Sequence, residues 1–375
     1  ATLGVAKAES IGASMPVWSQ KPGAEFNGYG MPSHWRDNIK RLVVTNAPPG
    51  REVTGSSRTP IEFLEGTITP AGLHYVRNHN GTPDIDPSKH ELVIHGMVKQ
   101  PLVFTVDSLM RYPMESRVHF LECAGNSGAI SVNAQPQQVR ASEIHGLLSG
   151  SEWTGVKLST LLAEAGLDPK ATWILAEGAD SASMSRSLPI EKAYEDAIVA
   201  LYQNGERLRP ENGYPVRLLL PGWEGNMNVK WLSRIKVTDG PTHTKDETSK
   251  YTDPMPDGKA RQFTFELGVK SIITFPSFGH RLDRHGLYEI SGIAWSGAGR
   301  IARVEVSTDG GASWRDAQLQ GPIFSKSFTR FRLPWGLKAS TGLPSSNACR
   351  TNFVRQFTKF LAWPRCCFLQ TRRLM

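Results

Sequence analysis

Three stretches of the 375-residue chain gather side chains able to do chemistry. In VHFLECAGNSG a continuous apolar run delivers Cys123 to a sharp turn containing Gly125, Asn126 and Gly128. Glycines there accept positive φ and leave room for a backbone loop to approach a cofactor. A buried, inert cysteine fits the same pattern, so position alone leaves both readings open. In Tyr75-Val76-Arg77-Asn78-His79, just before the turn Asn80-Gly81-Thr82-Pro83, a guanidinium and an imidazole stand together at a loop. Such groups can grip an oxyanion, and they can equally be solvated surface residues. In PVRLLLPGWEGNMNVKW, Arg217 interrupts an apolar strand and Lys230 follows a Gly-containing loop beside Trp231. A cation inside an apolar run needs a partner, either a carboxylate such as Glu224 or the phosphate of a cofactor.

The elements carrying these groups are short. Up to about Pro70 the chain is rich in Gly, Pro and polar residues (NAPPGREVTGSSRTP), which suits an extended lead-in, residues 1–70. From 71 to 245, apolar runs (ELVIHGMV, RVHFLECA, TWILAEGA, PVRLLLPGW) alternate irregularly with helical patterns (SLMRYP, LSTLLAEAGL, IEKAYEDAIVALY). That order predicts an α+β domain with a mixed sheet. A charged, Pro-containing connector follows at 240–262, and the pattern then becomes all strand. Ala302, Val304 and Val306 alternate with Arg303, Glu305 and Ser307, and Asp309-Gly310 supplies the residues of a tight hairpin turn. An immunoglobulin-like β-sandwich over 262–335 is the expectation, an incomplete one, because the strand pattern stops after Trp335.

Residues 336–375 differ in composition: seven basic residues, no acidic one and three of the four cysteines, Cys349, Cys366 and Cys367. A change of reading frame near Gly336 accounts for this, as does a genuine basic tail; translating the alternative frames of the coding DNA separates the two. Without that stretch the formal charge of +8 falls to 36 basic against 35 acidic residues. The basic balance therefore carries no nucleic-acid reading for the body of the chain. With only Cys123 in the body, a disulfide framework is excluded there. The longest apolar candidate for a membrane span, Val216 to Leu220, is cut by Arg217 and Pro221. The opening ATLGVAKAESIGAS suits the end of an export signal or an ordinary terminus. Phosphate-loop, dinucleotide, zinc-protease and nucleophile-elbow motifs are missing, as is C-x-x-C-H.

Taken together and in this order, YVRNH, FLECAGN, LAEGADSASMSRSLP, NGERLRPENGYPVRLLLPGW, NVKW and AWSG with VEVSTDGGASW resemble the sulfite oxidase family of molybdenum enzymes, particularly its sulfane dehydrogenase branch. The resemblance runs over residues 28–335. It implies a molybdopterin-binding catalytic domain at 71–245 and a dimerisation domain at 262–335. It implies molybdenum held by the pterin dithiolene and by Cys123, a soft thiolate ligand suited to such a metal. Arg77, Asn78 and His79 fall on the motif touching cofactor and substrate, Asp180 and Ser187 on the segment cradling the pterin, and Arg217 and Lys230 on its phosphate contacts. Tyr251, in SKYTDPM, matches the active-site tyrosine, whose phenol can bond a substrate oxygen.

Two departures bear on substrate. Typical family members place basic residues after CAGN and a histidine before PVR; here stand Ser127-Gly128 and Asn212. Fewer fixed cations suit a sulfur atom carried on a protein cysteine better than free sulfite, a small dianion. The expected function is molybdenum-dependent oxidation of carrier-bound sulfane sulfur, with Arg77 and His79 positioning the oxyanion and Tyr251 orienting the oxygen. The alternative is a sulfite dehydrogenase acting on free sulfite. The resemblance further implies a separate c-type cytochrome as electron acceptor, a sulfur-carrier protein, a homodimer through the C-terminal domain and a periplasmic location. A non-catalytic module keeping the fold is opposed by intact Cys123, Arg77 and Tyr251, and nucleic-acid binding would rest on the basic tail alone.

Overall fold

The computed structural model describes residues 16–45, 53–132, 138–280, 282 and 286–337. The stretch from 338 onward, on which most of the frame-change expectation rests, lies outside the described residues. The chain forms two compact units, Ala1–Ile39 and Lys40–Met375. Described residues of the first make two 3₁₀ turns, Val17–Ser19 and His34–Arg36; the hydroxyl of Ser33 accepts from the Trp35 N–H at the start of the second.

In the second unit, an antiparallel sheet of Leu42–Val44, Gly55–Arg58 and Val76–Asn78 puts Arg77 and Asn78 on its last strand. A five-stranded antiparallel sheet runs Glu206–Arg207, Ile198–Gln203, Leu148–Lys157, Met114–Glu122, with Arg217–Leu219 also paired to Ile198–Gln203. A second five-stranded sheet runs Leu102–Thr105, Glu91–Gly96, Leu232–Thr238, Trp173–Gly178, Ser185–Pro189. Its one parallel pair, Glu91–Gly96 with Leu232–Thr238, makes it mixed, since the other pairings are antiparallel. One apolar core joins the two sheets, with Leu92, Ile94, Val199, Leu218 and Ile235 fully or almost fully buried. The helix Leu158–Ala165 buries Leu158, Leu161, Leu162 and Ala165 against it, the spacing of one helical face, and ends at Gly166 with φ +68°.

The pattern IEKAYEDAIVALY does not form one helix. It splits into the helix Ile190–Glu195 and the strand Ile198–Gln203. Ile198 and Val199 are β-branched, and both neighbouring strands need this segment as their shared partner, so sheet pairing overrides the helical spacing.

Beyond residue 262, a sheet of Lys270–Phe275, Gly286–Trp295, Thr329–Leu337 and Gln318–Gln320 is joined by the short pair Glu305–Val306 and Arg315–Asp316. Ile290, Ala294, Val304, Val306, Phe331 and Leu333 form their common core, as a β-sandwich requires. Two expectations need correction here. Ala302 is exposed and Ser307 buried, so alternation holds only from Arg303 to Val306. Val306 pairs with Arg315, which makes 307–314 a long loop rather than a two-residue turn. Asp309 holds that loop, accepting from the Ser307 hydroxyl at 2.8 Å and the Ser313 N–H at 2.9 Å, while Gly310 and Gly311 take positive φ.

The two halves of the unit share a second apolar cluster in which Ile61, Phe120 and Leu148 meet Leu267, Ile272, Ile293, Trp295 and Phe328. Lys326 clasps the other side, 2.7 Å from Glu195 and 2.6 Å from Asp196. No helix among the described residues is long and apolar enough to cross a membrane.

Burial keeps two histidines of this framework neutral. His119 is pushed from the ordinary 6.5 to about 4 and His74 to about 3, desolvation outweighing their hydrogen bonds to Lys326 O and Tyr75 O. The unfolded chain takes up protons that the fold refuses, so stability present above pH 6.5 is lost as pH falls toward 4. Each pH unit in that window removes at most about 1.4 kcal/mol per histidine. Thermal melts at pH 7 and 4.5 should show a lower midpoint in acid and a smaller drop for His119→Gln; equal midpoints for wild type would refute the assignment.

Candidate active site

One pocket gathers most of the residues singled out above. It holds ≈ 720 Å³ of atom-free space, part of it open to solvent, and is lined by His74 to His79, Cys123, Asp180, Asn212, Arg217, Lys230 and Tyr251, among others. Cys123 follows directly on the strand Met114–Glu122, which aims it at this space. Its backbone N–H donates to Leu147 O at 3.0 Å and its carbonyl accepts from Asn126 N at 2.9 Å, which closes the turn. Burial pushes the thiol pKa up, while the Gly125 N–H and the charge of Arg77 pull it down. Gly225 makes the opposite wall possible: a Cβ there would lie 2.7 Å from Tyr75 Oη and 2.8 Å from Glu122 O. Among the described residues no group of three or more His, Cys, Asp or Glu converges on one point. A metal at Cys123 must therefore bring most of its ligands with it.

The floor is cationic. Arg217 donates to the carbonyls of Asn212 (2.7 Å) and Asn228 (3.1 Å) and lies over the Trp153 ring at 4.8 Å. Its partners are carbonyls; Glu224, the candidate carboxylate, is engaged with Asn226 instead. Lys230 donates to Glu211 O at 2.9 Å, Arg77 O at 3.3 Å and the Asn78 side chain. Desolvation, followed by the charge of Arg217, lowers Lys230 to about 7, and desolvation lowers Arg217 to about 10. Arg217 Nε, His74 Nε2 and Asp180 Oδ1 are buried around this floor without a hydrogen-bond partner among the described residues.

At the upper wall, His79 Nε2 and Tyr251 Oη are 3.3 Å apart. Burial, helped by the proximity of Cys123, pushes the Tyr251 pKa up to about 12; burial and the charge of Arg77 lower that of His79. Tyr251 is placed by the short helix Lys245–Ser249, which starts in a Thr244/Glu247 capping box, and its N–H donates to Asp246 O at 3.0 Å. Arg77 points a guanidinium N–H at Gly55 O, 3.3 Å away.

A family model described as an oxidoreductase molybdopterin binding domain matches residues 79–245, and a Mo-co oxidoreductase dimerisation domain matches 261–332. The crystal structure of the sulfane dehydrogenase SoxCD from Paracoccus pantotrophus superimposes with a TM-score of 0.81 at 43% identity, covering 85% of this chain and 82% of that one. The chain belongs to the sulfite oxidase family of molybdopterin oxidoreductases. Mitochondrial sulfite oxidase of Mus musculus is 33% identical over 71% of this chain and 52% of its own length. A nitrate reductase [NADH] of Ulva prolifera is 33% identical over 67% of this chain and 32% of its own. The chain thus spans about a third to a half of these two relatives.

Molybdopterin, with the molybdenum it carries, is the cofactor of this family, and the pocket fits it. Two cations whose hydrogen bonds end on carbonyls and an amide, with three orphaned polar atoms beside them, suit an anionic, hydrogen-bonding ligand such as the pterin and its phosphate. Lys230 and Arg217 would hold the phosphate, Asp180, His74 and Asn78 the pterin edge, and Cys123 the metal. Ser187 lies outside the lining: its hydroxyl is 2.8 Å from Thr242 Oγ1 and its backbone N–H donates to Glu247. Ser127 turns its hydroxyl to His145 Nδ1 at 2.7 Å.

Sequence reading missed Arg186. It is fully buried in the strand Ser185–Pro189, its Cζ 5.0 Å from the Tyr251 ring centroid and its Nε 3.0 Å from Met227 Sδ, with no hydrogen-bond partner for either terminal nitrogen among the described residues. A cation flanked by serines in SMSRSLP was the available signal.

Removing one floor cation should separate cofactor retention from stability. For Lys230→Met, molybdopterin recovered at limiting supply should fall about tenfold, as expected for the loss of one charge-assisted contact. The cofactor-free protein should melt higher than wild type, because a desolvated charge bonded only to carbonyls and an amide has gone. Unchanged pterin recovery, read by fluorescence after denaturation, would contradict the assignment.

Proposed function

We propose that the chain is the catalytic part of a molybdenum-dependent dehydrogenase that oxidises sulfane sulfur carried on a protein cysteine. The observation carrying this reading is the meeting of Cys123, Arg77, His79 and Tyr251 in one pocket with a cationic floor. The likeness to a sulfane dehydrogenase at 43% identity supports it.

When bound, molybdenum supplies a two-electron acceptor and a centre for oxygen transfer. The protein's own groups do the rest. Arg77 orients the oxyanion that grows on sulfur. The Tyr251 phenol, its pKa pushed up to about 12, stays protonated at neutral pH; its single proton goes to His79 Nε2, 3.3 Å away, until a substrate or product oxygen arrives to accept it. His79, with its lowered pKa, is neutral at pH 7 and able to accept from that phenol. Each two-electron step consumes one water and releases two protons. Three such steps carry the outer sulfane sulfur to a sulfonate still bound to the carrier, and a separate hydrolysis of the S–S bond, with no electron transfer, frees sulfate.

Residues after the cysteine favour a carried substrate. Where a basic pair would clamp a free dianion, Ser127 is bound to His145 and Gly128 has no side chain. The competing reading, a sulfite dehydrogenase, is favoured by the similarity to mitochondrial sulfite oxidase. Electrons would leave to a c-type cytochrome on another chain, since this one has no C-x-x-C-H. That partnership is the support for a periplasmic location. Residues 261–332 would join two copies into a homodimer.

Cytochrome reduction by carrier-bound sulfane and by sulfite decides between the two substrates. Carrier-bound sulfane should be the faster donor. Cys123→Ser should lose turnover and molybdenum together, and Tyr251→Phe should retain the metal while kcat falls about 100-fold. Rapid turnover of free sulfite with no response to the carrier would refute the sulfane reading.

A further inference from the structure

The residue before the cysteine is the buried junction between the two halves of the unit. Glu122 is 0% exposed. Its Oε1 accepts from Lys270 Nζ at 2.9 Å and Asn126 Nδ2 at 3.0 Å, and its Oε2 from Trp295 Nε1 at 2.8 Å. Lys270 and Trp295 face each other across the strands Lys270–Phe275 and Gly286–Trp295, within the segment that matches the dimerisation domain. The sheet end therefore presents an ammonium and an indole N–H as one two-pronged clamp.

From the carboxylate the contacts run on into the cysteine turn. Asn126, fixed by Glu122, accepts from Leu147 N at 3.1 Å; Leu147 O accepts from Cys123 N at 3.0 Å; and Asn126 N donates to Cys123 O at 2.9 Å. Every polar backbone group at Cys123 is thus tied, directly or through Asn126, to a carboxylate held from the other half of the unit. Trp295 is itself fixed by ring contacts to Phe120 (6.4 Å) and Phe328 (6.0 Å).

We propose that Glu122 is a positioning residue through which the dimerisation domain, by the Lys270–Trp295 clamp, sets the placement of the Cys123 thiol and the charge balance beside it. The domain would then be a working part of the metal site. This rests on Cys123 as metal ligand only for its electronic consequence; the placement is testable without metal. A carboxylate beside a thiolate opposes it, and Lys270 offsets that charge, so removing either partner shifts the centre in opposite directions.

The test uses the full chain and the variants Glu122→Gln, Lys270→Met and Trp295→Phe, the last keeping the ring contacts while losing the donor. In cofactor-free protein, alkylation of Cys123 by iodoacetamide, located by peptide mass spectrometry, should quicken at least fivefold in Trp295→Phe, which removes a donor and no charge. In loaded protein the molybdenum midpoint potential should rise in Glu122→Gln and fall in Lys270→Met, a reversal that loosening alone does not produce. A wild-type alkylation rate in Trp295→Phe, or potentials moving in the same direction, would overturn the proposal. Should Cys123 not bind the metal, the alkylation result would stand while the potentials stay unmoved, which separates the two failures.

Discussion

Positive charge buried with no carboxylate hydrogen-bonded to it is the constraint around which the pocket is built. Arg217 and Lys230 sit deep enough for desolvation to dominate their proton affinities, yet their hydrogen bonds end on carbonyls and an amide. Carbonyl dipoles offset a cation only in part, so both groups favour an anionic ligand bound beside them. Much of the surrounding chain exists to hold those dipoles still. Asn228 is the hub: its Oδ1 accepts from Leu220 N at 2.6 Å, its Nδ2 donates to Glu224 O at 2.9 Å, and its own carbonyl receives Arg217. The loop after Leu219 is therefore wound around one side chain, and the strand pairing of Arg217 with Ala200 anchors its base in the five-stranded sheet.

That design separates two tasks that both need cations. The floor groups would hold a cofactor that stays, and its negative charge would offset their desolvation. Arg77, on the last strand of the three-stranded sheet, and His79, just beyond it, would meet a substrate that must enter and leave. Changing what reacts needs alteration only at the mouth, and the floor is indifferent to it. Relatives that share this framework carry names as different as sulfite oxidase and nitrate reductase, as such a separation allows.

Legibility in the sequence followed the range of the interaction. Cys123 at a strand end, the Arg77–His79 cluster and the Arg217 and Lys230 pair were readable because each combines a chemical type with a local pattern, and motif order brought them to one place. Tyr251 needed the resemblance, since nothing in SKYTDPM marks a pocket residue. Glu122 and Arg186 were not readable. Two of the three side-chain partners of Glu122, Lys270 and Trp295, lie 148 and 173 positions away, and those of Arg186, Met227 and Tyr251, touch it only after the sheets assemble. The misread stretch 190–203 has the same origin: its helical spacing is a local property, while its strand conformation is imposed by two neighbours on separate parts of the chain. Ser187 shows the converse, a residue inside a cofactor-contacting motif whose hydroxyl is taken up by the capping residue Glu247 and by Thr242.

Ser187 also explains how the upper wall is kept in register with the floor. Glu247 accepts from Ser187 on one strand while closing the capping box that starts the helix leading to Tyr251. The next residue along that strand toward the pocket, Arg186, lies against the Tyr251 ring. A single strand edge thus fixes both ends of a short helix that has too few residues to be stable alone. The tyrosine would need this support if its phenol meets a transient oxygen, since among the described residues its hydroxyl bonds His79 alone, at 3.3 Å. Rigid scaffolding behind the ring substitutes for the strong hydrogen bond that would otherwise compete with substrate for the same hydroxyl.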